Sequence, residues 1–263
     1  MHYELCIDKK DFMIDTHAHL DDERLDKHKI ISSMKNDGLE AIICASFDLD
    51  SSKKSVYTAA NYDNVYAAVG IHPNHAHEAA DSDFEELIKL AADKKVVAIG
   101  EMGLDYFHKF CDKDTQKNVL NKQLDILSQT NLPAVFHLRD AYLDMQEIVL
   151  QNKHKIKNGA VMHCFSGSIE TAKFYTNLGY YISFGGAITF KNSRADEVIK
   201  SVPLDKILVE TDCPYLSPEP FRGKVNEPKN VRYVLQKIAS ILDMDFERLQ
   251  EISIKNAKKA FRI

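Results

Sequence analysis

The sequence predicts an α/β fold, a single (β/α)8 barrel of the TIM type. Eight short runs rich in β-branched and aromatic residues alternate with longer amphipathic segments, which is typical of βαβ units and a parallel sheet. The chain of 263 residues has the length of one such barrel, and no repeat or Gly/Ser-rich linker divides it. Histidines and carboxylates follow the ends of several runs. Because the carboxyl ends of barrel strands meet at one rim, we expect the functional site there.

The strands are predicted from runs of apolar residues that are too short for helices and are bounded by polar or glycine-containing segments. Eight runs with this chain length favour a closed barrel over an open sheet. In chain order, the predicted strands cover residues 12–16, 41–45, 65–71, 96–100, 133–137, 159–163, 180–184 and 207–211.

The helices are predicted from apolar residues that recur with helical spacing between the strands. The stretch 230–261 has the same periodicity and predicts two further helices after the last strand. Residues 1–11 are predicted to form a polar N-terminal extension, and residues 12–263 to form one barrel domain. Helices between the strands are predicted over residues 81–93, 115–130, 141–151 and 169–178.

Composition limits the class of protein. Hydrophobic residues make up 44% and charged residues 28%, as in ordinary soluble enzymes. No apolar run is long enough to span a membrane, and the first residues are too charged for a secretory signal, so we expect a cytoplasmic protein. The five cysteines include no CxxC pair, which favours reduced thiols over disulfides or a thiolate zinc site. With a net charge of −5, the surface as a whole does not attract polyanions, so nucleic acid would have to be held locally.

The end of the first strand carries the segment Asp-Thr-His-Ala-His. Alternate residues of a strand face the same way, so Asp15, His17 and His19 should share one side, and the two imidazoles can bind one metal ion. Asp212, at the end of the eighth strand, would close this set opposite His17 and His19. Glu210 and Asp212 are two inward acids that would be hard to satisfy without cations.

A second set of ligands is predicted around Glu101, which follows the fourth strand. A carboxylate that leaves an apolar strand at the mouth of a barrel is costly without a cation, and it can bridge two metal ions. His137 and His163 each end an apolar strand and would bind the second ion. Strand alternation should turn Cys164 away from these ligands. Imidazole and carboxylate without thiolate suit several divalent metals, so we predict two ions per chain, with Mg²⁺ in use and Mn²⁺, Zn²⁺, Fe²⁺ or Ni²⁺ as alternatives.

With these residues the sequence resembles the TatD family of metal-dependent deoxyribonucleases, within the amidohydrolase-like barrels. The resemblance runs from Ile14 to about Phe261 and rests on seven ordered motifs. They are Asp-Thr-His-Ala-His-Leu (15–20), Gly-Ile-His-Pro (70–73), Ile-Gly-Glu-Met-Gly-Leu-Asp-Tyr (99–106), His-Leu-Arg-Asp-Ala (137–141), His-Cys-Phe-Ser-Gly (163–167), Glu-Thr-Asp-Cys-Pro-Tyr-Leu (210–216) and Arg-Gly-Lys-Val-Asn-Glu-Pro (222–228).

The resemblance implies roles for single residues. The family often has a second His after the Pro of the 70–73 motif, where this chain has Asn74, and it stays open whether His75 takes its place. The roles that the resemblance implies are one metal held by His17, His19, Glu101 and Asp212, the other held by Glu101, His137 and His163, and the scissile phosphate contacted by His72 and Arg139.

Together these residues predict a two-metal hydrolase that cleaves DNA phosphodiester bonds, a 3′–5′ exonuclease acting on single-stranded ends. Glu101 and Asp212 would be the catalytic residues, with Asp212 as general base. Arg139 suits bidentate phosphate recognition, and Arg222 would join it as a substrate contact. The predicted rim loops also carry lysines and aromatic residues that can stack unpaired bases, namely Lys109, Lys113, Lys191, Arg194 and Lys224 with Tyr106, Phe107, Phe165, Tyr215 and Phe221.

Two other functions stay open from the residues alone. A small-molecule or aminoacyl-ester hydrolase would use the same binuclear site, because two metals polarise a carbonyl as well as a phosphoryl group. A non-catalytic, metal-stabilised scaffold is disfavoured, because structural metal sites are closed tetrahedra and these ligands are spread over many strand ends. DNA is the expected partner, and neither a membrane nor an obligate protein partner is expected.

Overall fold

Each of the eight predicted strands is present, and each pairs in parallel with the next one in chain order. The structure is a computed structural model that describes residues 12–263, so the predicted extension 1–11 lies outside the described residues. The strands are β1 (Met13–Ala18), β2 (Leu39–Ala45), β3 (Val65–Val69), β4 (Val96–Asp105), β5 (Ala134–Arg139), β6 (Ala160–Met162), β7 (Tyr181–Phe184) and β8 (Ile207–Val209).

The first and last strands meet and close the barrel. The His17 carbonyl accepts the Asp212 N–H at 2.9 Å, and the His19 N–H donates to the Cys213 carbonyl at 2.8 Å. Ala18 and Cys213 form a parallel bridge between these hydrogen bonds. The predicted (β/α)8 barrel is therefore confirmed, and its closure brings His17 in β1, and His19 directly after it, next to the acid that follows β8.

The predicted helices are confirmed, and two amphipathic helices follow the last strand as expected. No helix in the described part of the chain is long and apolar enough to cross a bilayer. Residues 12–263 contain nine α-helices, which are α1 (Lys27–Ser33), α2 (Leu49–Asn61), α3 (Asp81–Leu90), α4 (Lys113–Ser128), α5 (Tyr142–Gln151), α6 (Ile169–Asn177), α7 (Ala195–Ser201), α8 (Val231–Leu242) and α9 (Phe246–Phe261).

Helix α9 packs against the strands through its last turns. Ala257, Ala260 and Phe261 belong to one buried cluster with strand residues such as Ile14 and Leu208. Burying a side chain of the size of Phe261 stabilises a fold by about 1.5–3 kcal/mol. The C-terminal helix therefore belongs to the barrel and is not an appendage.

Strand β4 runs five residues past its predicted end, so Glu101 lies inside a strand and not in the loop after it. The Gly-Glu-Met-Gly sequence lacks the β-branched residues that mark strands, which is why the pattern ends at Gly100. Gly103 has φ 149°, and a Cβ at this position would lie 2.0 Å from the His137 carbonyl oxygen. Only glycine lets β4 approach β5 so closely here.

Candidate metal centre

Glu101 lies at the centre of a ring of histidines at the carboxyl ends of the strands. Its side chain is buried, and its two carboxylate oxygens face different groups. Oε2 faces β1 and Oε1 faces the strands on the other side, so the carboxylate lies between two sets of nitrogen atoms. The distances are 3.3 Å from Oε2 to His17 Nε2, 3.9 Å from Oε2 to His19 Nε2, and 2.7, 2.9 and 3.4 Å from Oε1 to His163 Nε2, His137 Nδ1 and His72 Nε2.

Asp212 completes the set on the Oε2 side. Its Oδ1 lies 3.3 Å from His19 Nε2 and 3.9 Å from His17 Nε2. Three groups offer ligand atoms that all lie within 4.8 Å of one another, namely His17, His19 and Glu101, then His17, His163 and Asp212, and finally His72, Glu101 and His137. The structure therefore brings together all six residues that the sequence predicts as metal ligands.

The donors fit divalent metal ions. His17 Nε2 is buried and forms no hydrogen bond in the described part of the chain, although Glu101 Oε2 lies 3.3 Å from it. A buried ring nitrogen without a partner is costly, and a cation between these donors would remove that cost. Imidazole nitrogens combined with carboxylate oxygens are ligands that Zn²⁺, Mn²⁺ and similar divalent ions accept. The cluster is thus able to bind metal.

His19 and His137 are each held by an acceptor on the nitrogen that faces away from the centre. His19 Nδ1 lies 3.1 Å from the Ala45 carbonyl oxygen, and His137 Nε2 lies 3.1 Å from Asp105 Oδ2. These acceptors place a hydrogen on the outer nitrogen, so the inner nitrogen keeps its lone pair for a metal. Asp105 was missed from the sequence, although its spacing of four residues from Glu101 along one strand places both on the same face.

Glu210 does not face the centre as a further ligand. Its Oε1 accepts the Cys164 N–H at 2.6 Å and lies 3.3 Å from His163 Nδ1, while Oε2 accepts the Ser183 hydroxyl at 2.5 Å. The prediction that both acids of this segment need cations was therefore wrong for Glu210, because these donors satisfy its carboxylate. Asp212 alone reaches the ligand group, and Glu210 orients His163 from behind.

Asp15 also lies outside the ligand group. It accepts hydrogen bonds from the Thr211 hydroxyl at 2.5 Å and the Thr211 N–H at 2.9 Å. Burial raises the pKa of the Asp15 carboxyl to about 8. The predicted common side for Asp15, His17 and His19 was wrong for Asp15, because a register shift between Asp15 and Ala18 interrupts the alternation of the strand.

Charges within the cluster set its protonation. Burial alone would raise the pKa of Glu101, but the coulombic effects of His163 and His72 and hydrogen bonding by His137 hold it well below its usual range. Burial opposes protonation of His163, but the carboxylates of Glu101 and Glu210 raise its pKa well above the ordinary value. Burial lowers the pKa of His72 to about 4. Without metal, the Glu101 carboxylate is therefore ionised and the His72 ring is neutral.

His72 is a hydrogen-bond donor toward the centre. Its Nδ1 accepts the Asn74 N–H at 3.0 Å, so the proton of the neutral ring is on Nε2, which faces Glu101. A donor here suits an anionic oxygen of a substrate better than a metal, in line with its predicted phosphate contact. His75 lines the cleft above, with its ring 5.0 Å from that of Phe47.

The cluster of histidine and carboxylate side chains around Glu101 forms the floor of a cleft of about 590 Å³. Arg139 lines the wall, with its guanidinium carbon 4.0 Å from the centroid of the Phe107 ring. Arg222, predicted as a substrate contact, lies outside this lining and stacks on Phe190 at 4.4 Å. Cys164 lines the cleft, contrary to the prediction that alternation turns it away, because its left-handed backbone (φ 43°) breaks the alternation.

The carboxylate behind His163 gives a testable expectation. Replacing Glu210 with Gln keeps the size of the side chain but removes the charge that holds the Nδ1 hydrogen of His163. We expect metal affinity to fall about 10–100-fold, as is usual when such an orienting carboxylate is lost. Titration calorimetry with Mn²⁺ measures this, and Glu251→Gln, at an exposed position of α9, is the matched control. Equal affinities of the two variants would rule out this role.

Comparison with known proteins agrees with the geometry. The profile of a family described as TatD related DNase matches residues 14–262. YabD of Bacillus subtilis, named as an uncharacterized metal-dependent hydrolase, is 42% identical over 254 residues, which covers 95% of this chain and 99% of YabD. YcfH of Escherichia coli, with the same description, is 34% identical over 258 residues, covering 96% of each chain.

Among solved structures, YjjV, a TatD homolog from Escherichia coli, superposes with a TM-score of 0.88 at 28% identity, covering 95% of this chain and 98% of YjjV. The matches span nearly the whole barrel, and they include every strand that contributes to the histidine and carboxylate cluster. The chain therefore belongs to the TatD family of metal-dependent hydrolases.

Proposed function

We propose that this protein is a two-metal phosphodiesterase that cleaves DNA, with Mg²⁺ as the working ion. The observation that carries the proposal is the position of Glu101, whose two oxygens face separate sets of donors, as a bridging carboxylate requires. Two divalent ions, when bound, polarise the phosphoryl group and stabilise both the attacking and the leaving oxygen. One ion would be held by His17, His19, Glu101 and Asp212, and the other by Glu101, His137 and His163.

Asp212 is the proposed general base. Its side chain is 14% exposed, against 4% for Glu101, so it is the acid of the cluster that a water in the cleft can reach. Burial alone would raise its pKa, but hydrogen bonding by His19 and the nearby histidine charges lower it. Asp212 is therefore ionised at neutral pH and can accept a proton from the attacking water.

His72 and Arg139 are the proposed phosphate contacts. The Nε2 hydrogen of His72 is directed into the floor of the cleft, and the Arg139 guanidinium lies on its wall. A guanidinium can donate two parallel hydrogen bonds to a phosphate, and a buried imidazole N–H adds a third donor. Such donors favour an anionic phosphodiester over a neutral ester as substrate. Arg222, farther out, would contact the strand beyond the cleft.

A preference for single-stranded 3′ ends is part of the proposal. Aromatic rings are exposed around the cleft, and Phe107, Tyr215 and Phe47 are 53%, 47% and 36% exposed. Exposed rings of this kind stack on bases that are not paired, and duplex DNA does not offer those base faces. A strand end with unpaired bases therefore matches the surroundings of the cleft better than a duplex interior does.

A nuclease assay tests the proposal. Single- and double-stranded oligonucleotides, labelled at either end, are incubated with Mg²⁺, Mn²⁺ or EDTA. We expect metal-dependent shortening of the 5′-labelled single strand and immediate release of a labelled mononucleotide from the 3′-labelled one. A terminal phosphorothioate should slow this release. If no nucleic acid is cut with any metal while aminoacyl or small carboxylic esters are hydrolysed, the small-molecule alternative replaces the proposal.

A further inference from the structure

The loop between β4 and α4 separates the cleft above Glu101 from a second groove. His108, in this loop, lines the cleft, whereas Lys109 and Phe110 line a groove of about 450 Å³ on the other side. Lys113, at the start of α4, lines the same groove. Asp105, at the end of β4, borders both spaces. The two spaces therefore adjoin each other across one short loop.

A continuous row of flat side chains crosses this loop. The Arg139 guanidinium lies 4.0 Å from the Phe107 ring centroid, and the Phe107 and His108 rings are 5.0 Å apart in an edge-to-face arrangement. The His108 ring stacks on Phe110 at 5.9 Å, with an interplanar angle of 19°. Phe110 is 64% exposed, so its ring is available to a ligand. The row leads from the wall of the cleft to the groove.

The Asp105 carboxylate fixes the position of this row of side chains. Asp105 Oδ2 lies 2.7 Å from His108 Nδ1, and Asp105 Oδ1 accepts the N–H groups of Phe107 and His108 at 2.9 Å each. The same carboxylate orients His137, whose other ring nitrogen faces Glu101. A shared carboxylate fixes the position of the loop relative to the reaction centre, so a ligand bound on the loop would be in register with the bond that is cut.

The groove also offers positive charge. Within residues 12–263, neither Lys109 nor Lys113 has a carboxylate oxygen at ion-pair distance, and Lys113 Nζ lies 4.2 Å from the Tyr106 ring centroid. The acid between them, Asp112, accepts the Thr115 N–H and hydroxyl as the N-cap of α4, which engages its carboxylate. Two available ammonium groups beside exposed rings are a feature of single-strand binding surfaces.

We infer that this groove is a second subsite, which binds the single-stranded DNA on one side of the bond that is cut. Bases would stack on Phe107, His108 and Phe110, while the phosphates contact Lys109 and Lys113. In a chain with a net charge of −5, two lysines without a carboxylate at ion-pair distance give a polyanion local contacts, although Asp105 and Asp112 also line the groove. This inference rests on the proposed function, and it adds that strands long enough to cross the loop are preferred over short ones.

The test compares long and short substrates. Lys109→Ala/Lys113→Ala and Phe110→Ala are assayed on a single strand of about ten nucleotides, within the range of known single-strand sites, and on bis(p-nitrophenyl) phosphate. We expect KM for the long strand to rise about tenfold, which is a typical loss of affinity when one base–aromatic stack is removed. Turnover of the small diester should be unchanged. The matched controls are Lys53→Ala/Lys54→Ala and Tyr57→Ala, at exposed positions of α2.

A binding measurement keeps the inference testable even if the enzyme cuts no DNA. Fluorescence anisotropy of a labelled single strand, measured in EDTA, should show weaker binding by the double lysine variant. The slope of log K against log salt concentration should be shallower by about 1.4, which is the value for two lost phosphate contacts to a single strand. The α2 double variant should keep the wild-type slope. Unchanged affinity and slope, or an equal loss on the small diester, would overturn the subsite. Absence of DNA cleavage by the wild type would refute only the proposed function.

Discussion

Replacing Glu101 with Ala is expected to abolish metal-dependent hydrolysis. Each oxygen of the carboxylate faces one set of donors, so its loss would remove a ligand from both of the proposed ions. A loss of about 4 kcal/mol of transition-state stabilisation, within the range that metal ions supply, corresponds to a fall in kcat of about 1000-fold. Steady-state assays with Mn²⁺ measure kcat, and elemental analysis of the purified variant measures bound metal.

The variant Glu101→Gln sharpens this test, because it keeps the shape of the side chain and removes only the charge. We expect it to be as inactive as the Ala variant, with fewer than two ions bound. Glu251→Gln is again the control for a neutralised glutamate, at an exposed position of α9. Circular dichroism should show intact secondary structure in all variants, because the strands carry an apolar core of their own. Turnover near the wild-type value in either Glu101 variant would refute the bridging role.

Replacing Asp212 with Asn is expected to lower kcat by about 100–10,000-fold, the usual contribution of a general base. Asn can still offer an oxygen to a metal, but it cannot accept the proton of the attacking water. Saturating Mn²⁺ therefore should not restore turnover, although it should restore metal content. Recovery of turnover at high Mn²⁺ would show that Asp212 is a ligand only. Asp50→Asn, an exposed position of α2, is the control.

The order of the strands and the residues of the histidine and carboxylate cluster could be predicted because both leave local signals. Apolar runs mark the strands, and ionisable groups such as Glu101 stand out where an apolar run of the sequence ends. The direction of a side chain is different, because it depends on partners that are distant in sequence. Glu210 is satisfied by Ser183 and Cys164, and no periodicity connects these three residues.

Backbone irregularities account for the other differences. The left-handed conformation at Cys164 and the register shift after Asp15 each break the strict alternation from which side-chain directions were predicted. The rim is predicted least well, because loops carry no periodic pattern, and Arg222 accordingly lies outside the cleft lining. Its role as a substrate contact stays a prediction, which the salt dependence of DNA binding by Arg222→Ala would test.

The hydrogen bonds from Thr211 to Asp15 join positions that are 196 residues apart in sequence. They lie at the seam where β1 meets β8, beside the contact between His19 and Asp212. During synthesis, a growing chain that ends just before Asp212 contains all eleven histidines but not the acid proposed as base. The proposed hydrolytic activity would therefore begin only when the eighth strand has been synthesised and the ends of the barrel have met, and a nascent chain would not act on the nucleic acid around it.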